Sequence, residues 1–157
     1  MRRRGRKILS CDLLLNYRIS ANPAWQRASV RFHDHDQAPI ATPSIVILQI
    51  GNLGVESVKR QDYEVPIEIG FTGRRVEAVN VTEGHPSELA QAIARHVTAT
   101  EQRVVLPAED LDPGNRFTLL ILLSGDSHDD TVEITGTLND GNFVNARRLP
   151  NRKVHAP

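Results

Sequence analysis

The chain has 157 residues, 39% of them apolar and 24% charged, with zero formal net charge. That length suits a single domain with a sizeable core, and the balanced charge excludes a global field drawing the molecule to nucleic acid or membrane. One cysteine, Cys11, excludes an internal disulfide framework and a thiolate zinc cluster.

The basic residues are nevertheless uneven. MRRRGRK at the start carries Arg2, Arg3, Arg4, Arg6 and Lys7, and RRLPNRK near the end adds four more. No apolar h-region follows the arginines, as a secretory signal would need, and no apolar run reaches the roughly 18–20 residues of a membrane span. A basic arm over 1–6, a β-rich body over 7–149 and a frayed tail over 150–157 is the expected organisation.

Lys7 to Ile19 alternates with a period of two. Leu9, Cys11, Leu13, Leu15, Tyr17 and Ile19 share one face, and Ser10, Asp12, Asn16 and Arg18 share the other. This is the pattern of a half-buried strand, with Cys11 inward as a small apolar side chain. Ser20 to Arg27 reads as a loop, Ala28 to Phe32 as a short strand, and HDHDQAP as its end. Ile45 to Ile50 is apolar on both faces apart from Gln49, as expected of a central strand. Asn52 and Gly54 suit a turn with positive φ.

Val58 to Tyr63 reads as a linker or edge segment. Val65, Ile67, Ile69 and Phe71 then alternate, with Pro66 placed for an edge strand. Thr72-Gly73-Arg74 has the composition of a hairpin turn, and Val76 to Val81 forms the next strand. SELAQAIARH, within 86–97, is rich in helix formers, yet Leu89, Ile93 and Val97 would also share one face of a strand; both readings stand.

Arg103 to Leu106 is a short strand. Asp110 to Asn115 is a Pro-Gly turn, and Phe117 to Leu123 is a second strand apolar on both faces. SGDSHDD is a solvated acidic loop. Val132 to Leu138 alternates cleanly, Asn139 to Asn142 carries a hairpin signal, and Phe143 to Leu149 returns as an edge strand. Eight or nine strands and at most one short helix (86–97) predict an all-β, two-sheet antiparallel sandwich of immunoglobulin-like type, with a small barrel as the competing architecture.

Two motifs carry a family resemblance: Ile50-Gly51-Asn52-Leu53-Gly54 followed by Asp62 and Pro66, and Leu111-Asp112-Pro113-Gly114 before Phe117 to Leu123. With the opening Arg-Lys-Ile-Leu-Ser, they resemble immunoglobulin-like domains of bacterial multidomain proteins, some membrane-tethered. The resemblance spans roughly Lys7 to Leu138 and implies a fold and a tether; it carries over no catalytic residue.

Candidate chemistry is sparse. His33 and His35 would share a strand face and could ligate zinc with His85, His96 or His128, though a polar loop explains HDHD as well. Asp126, His128, Asp129 and Asp130 lack the glycine and terminal glutamate of an EF-hand loop. No nucleophile elbow, Walker loop or dinucleotide fingerprint occurs.

The expected function is therefore a non-enzymatic interaction or spacer module with a protein partner. Arg2, Arg3, Arg4, Arg6 and Lys7 are placed to meet an anionic membrane surface. Nucleic acid is disfavoured, since aromatics make up 4% of residues and fall on core positions. The alternatives are a sensor for a small anionic ligand such as a nucleotide, lined by Arg74, Arg75 and Arg103, and a metal-dependent enzyme using His33 and His35. No cofactor is called for, and a cytoplasmic, membrane-associated location is the expectation.

Overall fold

The computed structural model describes residues 6–19, 42–125 and 127–146. Among them are nine strands: β1 (Ile8–Arg18), β2 (Ser44–Asn52), β3 (Tyr63–Phe71), β4 (Arg75–His85), β5 (Thr98–Ala99), β6 (Arg103–Val105), β7 (Arg116–Ser124), β8 (Val132–Leu138) and β9 (Asn142–Ala146). One α-helix, α1 (Ser87–His96), lies between β4 and β5, and a 3₁₀ turn, Arg60–Asp62, precedes β3. The strands form a five-stranded sheet in the order β4-β7-β2-β1-β9 and a four-stranded sheet in the order β5-β6-β3-β8. All pairings are antiparallel except β1 with β9, which run parallel.

The two sheets face each other across the core. Leu9, Cys11, Val46, Leu48, Ile50, Phe117, Leu119, Ile121 and Leu123 come from the larger sheet, and Ile67, Ile69, Phe71, Val104, Val132 and Ile134 from the smaller. Each fully buried Leu, Ile, Val or Phe side chain contributes about 1.5–3 kcal/mol, so the interdigitated layer is the main source of stability. As expected, β2 and β7 are central strands; their outer-face residues Ile45, Ile47, Leu120 and Leu122 are only half-buried.

The segment SELAQAIARH is a helix. Leu89 and Ile93, four residues apart, are both buried in the core. Glu88 in the first turn and Arg95 and His96 in the last complement the helix dipole. Gly84 lets the helix approach: a Cβ there would stand 2.7 Å from the Ala90 backbone nitrogen. Packed on β4 and β7, α1 carries the chain from the edge strand of one sheet toward that of the other.

Several local expectations are corrected. The Thr72-Gly73 and Asn139–Gly141 turns are tight, with φ of 73° at Gly73 and 53° at Asp140, yet neither closes a hairpin. Each passes the chain between sheets, because β3 and β8 belong to one and β4 and β9 to the other. Pro66 lies not on an edge but in the central strand β3, in a register break between Val65 and Glu68 where no ladder bond is asked of it.

Neither Asn52 nor Gly54 has positive φ. Gly54 is required because a Cβ at that position would collide with the Arg6 carbonyl oxygen. Val58 to Tyr63 is a lone bridge from Val58 to Leu111 followed by the 3₁₀ turn. The Ala28 to Phe32 strand falls outside the described residues.

The largest correction is in β1. Leu13 and Leu15 face consecutive residues of β2, Leu48 and Ile47, so Leu14 is an inserted bulge residue. Side chains beyond it exchange faces. Leu15 and Tyr17 turn outward, 40% and 38% exposed, while Asn16 and Arg18 lie opposite the buried Val46 and Ser44.

Candidate functional site

That reversal assembles a polar cluster at one end of the sandwich. Arg74, the turn residue just before β4, is only 2% exposed. Its Nη1 donates to Asn16 Oδ1 at 3.1 Å and to Ser44 Oγ at 3.3 Å, and its guanidinium carbon lies 5.8 Å from the centre of the Phe71 ring. Arg74 Nε and Nη2 are buried without a hydrogen-bond partner among the described residues. Burial lowers the Arg74 pKa; Asp130 and Asp129 oppose that shift, and Arg18 adds to it. An unfilled buried donor costs about 1–3 kcal/mol, more on a charged group, so this is an expensive arrangement for a fold to keep.

The loop after β7 closes around the same cluster. Arg18 donates to the carbonyls of Gly125 and Ser127 and, at 2.7 Å, to Asp130 Oδ1. Asn16 Nδ2 donates to the Asp130 carbonyl at 2.8 Å. Asp129 Oδ1 accepts from the Thr131 backbone N–H at 2.9 Å, and hydrogen bonding to Thr131 is the main reason its pKa is lowered. These contacts shape the loop, and no metal-holding group forms among its described residues; Asp126 lies outside them.

A second feature lies on the outer face of the four-stranded sheet. Arg103, Gly70 and Glu133 are in register across β6, β3 and β8. With no side chain at Gly70, a groove of about 210 Å³ opens between them, lined also by Glu68, Thr72, Gln102 and Thr135. Arg103 donates to Glu68 at 2.8 Å, whereas Glu133 has no ion-pair partner among the described residues. The groove is rich in acceptors and suits a cationic or hydrogen-bond-donating group.

The three arginines expected to converge are kept apart. Arg74 is buried in the end cluster, Arg75 is exposed with Glu77 at 3.8 Å, and Arg103 belongs to the groove. His33 and His35 lie outside the described residues, as do Arg2, Arg3 and Arg4. His85, His96 and His128 sit on β4, at the end of α1 and in the loop before β8, and no metal-holding group forms among the described residues. Arg6 and Lys7 are engaged in ion pairs with Glu56 and Asp62.

The sequence places Arg74 in the turn before β4 and among the arginines of an anion site, but not buried beside Asn16 and Ser44. The available signal was the run Leu13-Leu14-Leu15, which breaks the alternation of β1 and marks where its polar residues turn inward.

The two motifs behind the family resemblance prove to be one clamp. Asn52 Nδ2 donates to the Glu56 and Leu111 carbonyls, each at 2.9 Å, and Asn52 Oδ1 accepts from the Gly54 N–H at 2.8 Å. The Asn52 carbonyl accepts from the Gly114 N–H at 3.0 Å.

Fold and site together define a two-sheet β-sandwich with a buried guanidinium at one end and an acceptor-rich groove on one face. No family model matches the chain, and no curated protein matches it. Among the described residues no helix is long and apolar enough to cross a membrane.

Proposed function

We infer that the chain is a non-enzymatic interaction module of immunoglobulin-like type, and that its partner is a protein docking on the four-stranded sheet. The observation that carries this reading is the groove over Gly70, with Glu133 on one wall, lacking an ion-pair partner among the described residues, and the Arg103–Glu68 pair on the other. A basic side chain of the partner would enter between Glu133 and Glu68, and Thr72 and Thr135 would accept hydrogen bonds at the rim. The parallel pairing of β1 with β9, first strand beside last, supports the immunoglobulin-like assignment. A bacterial origin and a membrane-proximal position in the cytoplasm belong to the same proposal. The lipid contact then falls to Arg2, Arg3 and Arg4, since Arg6 and Lys7 are engaged elsewhere.

The test is a crosslinking pull-down from the source cells with wild type, Glu133→Arg and Gly70→Phe, and Arg60→Ala as a surface control. The reading expects a partner that both groove variants lose and the control keeps. A partner retained by both groove variants would overturn the docking face; turnover of a substrate with no partner recovered would overturn the module. Co-sedimentation with vesicles containing anionic lipid, comparing wild type with a triple Arg2/Arg3/Arg4→Ala variant, tests the membrane contact.

A further inference from the structure

Arg74 is costly to the fold, and the cost has a definite geometry. Nη1 is occupied by Asn16 and Ser44, and the ring of Phe71 lies against the guanidinium, so the plane is oriented. The two donors left open are Nε and Nη2. On any guanidinium these two N–H groups lie along one edge and point the same way. That edge is the fork that grips two oxygens of a carboxylate or phosphate side by side.

The nearby acids do not fill it. Asp130 Oδ1 is bonded to Arg18, and Asp129 is turned to Thr131. Gly125, at φ 121°, packs close to the Arg74 backbone, where a Cβ would come within 3.4 Å of the Arg74 Cα.

We propose that the open Nε/Nη2 edge of Arg74 is a binding site for a small oxyanion, a carboxylate or a phosphate group, held bidentately at the end of the sandwich beside Asn16 and Ser44. Both donors are screened from bulk water, so each bond is made in a low-dielectric setting where charge-assisted hydrogen bonds are strong. The site differs from a basin lined by Arg74, Arg75 and Arg103: it needs only the first of them, and it is independent of the groove over Gly70.

Acetate and phosphate are titrated separately into the purified chain at constant ionic strength. The readouts are the thermal midpoint and the Nε–H NMR resonance of Arg74. With one site, an anion at tenfold its Kd raises the midpoint of a chain this size by about 3–6 °C; the midpoint goes on rising with the logarithm of concentration, while the Nε–H shift saturates. The anion whose Nε–H shift saturates at the lower concentration assigns the source as carboxylate or phosphate.

Arg74→Met abolishes the rise in midpoint while its anion-free midpoint stays at or above wild type, because a desolvated charge has been removed. Arg74→Lys keeps the charge without the fork and binds at least about tenfold more weakly. Arg75→Gln behaves as wild type. A rise in midpoint equal in wild type and Arg74→Met, an Nε–H shift that never saturates, or an Arg74 Nε–H resonance unmoved by both anions overturns the proposal. The resonance is read on wild type and decides the matter even if the variants fail to fold.

Discussion

Replacing Asn52 with alanine removes one side chain and three hydrogen bonds at a position only 1% exposed. The backbone bonds that flank it, from Asn52 N–H to the Asn115 carbonyl and from Gly114 N–H to the Asn52 carbonyl, remain. The loss is therefore confined to the side chain. The Leu111 carbonyl keeps a second donor in the Val58 N–H, at 2.9 Å. The Gly54 N–H has no such reserve among the bonds described. At roughly 0.5–1.5 kcal/mol for each bond, and somewhat more for a partner left unfilled, Asn52→Ala should cost about 2–4 kcal/mol.

That is a large part of the roughly 5–15 kcal/mol by which domains are stable. With a urea m-value of about 2 kcal/mol/M, the unfolding midpoint should fall by about 1–2 M at unchanged m. Leu53→Ala, in the same turn but 69% exposed, is the control and should shift stability by less than about 0.5 kcal/mol. An Asn52→Ala protein within about 1 kcal/mol of wild type would refute the clamp.

Three further outcomes follow from the packing. Gly54→Ala, whose new Cβ would meet the Arg6 carbonyl, should cost at least about 2 kcal/mol by urea unfolding, whereas Gly70→Ala, with its nearest neighbour at 3.9 Å, should stay within about 0.5 kcal/mol. Gly114→Ala, at φ 87° with open space around it, should fall between them at about 1–2 kcal/mol, a cost of backbone conformation alone.

Burial raises the Cys11 thiol pKa from 9.0 to about 12 and pushes the Tyr63 hydroxyl up as well. In both cases the fold holds the proton more tightly than the unfolded chain does. Their contribution is complete below pH 9 and declines as pH rises toward 12. Urea midpoints from pH 7 to 11 should therefore fall above pH 9, less steeply in Cys11→Ala, and the native thiol should resist a disulfide reagent at pH 8 until urea unfolds the chain.

Sequence alone located most strands of this protein and most of the turns between them, because alternation along a strand and the chemistry of Gly, Pro and Asn are properties of neighbouring residues. It also identified β2 and β7 as central, since apolar side chains on both faces need covering. What the tertiary structure decided was which strands meet. The turns at Thr72-Gly73 and Asn139–Gly141 look the same whether the next strand folds back or crosses to the other sheet; distant pairing of β4 with β7 and β9 with β1 makes that choice. The four-residue spacing of Leu89 and Ile93 fits either a helix or a strand until the core takes up both on one helical face. A single bulge at Leu14 reverses the facing of β1, drawing Asn16 and Arg18 inward and leaving Arg74 enclosed with its fork unfilled. Burial of that kind depends on where β2, β3 and the loop after β7 come to rest, and no local pattern encodes it.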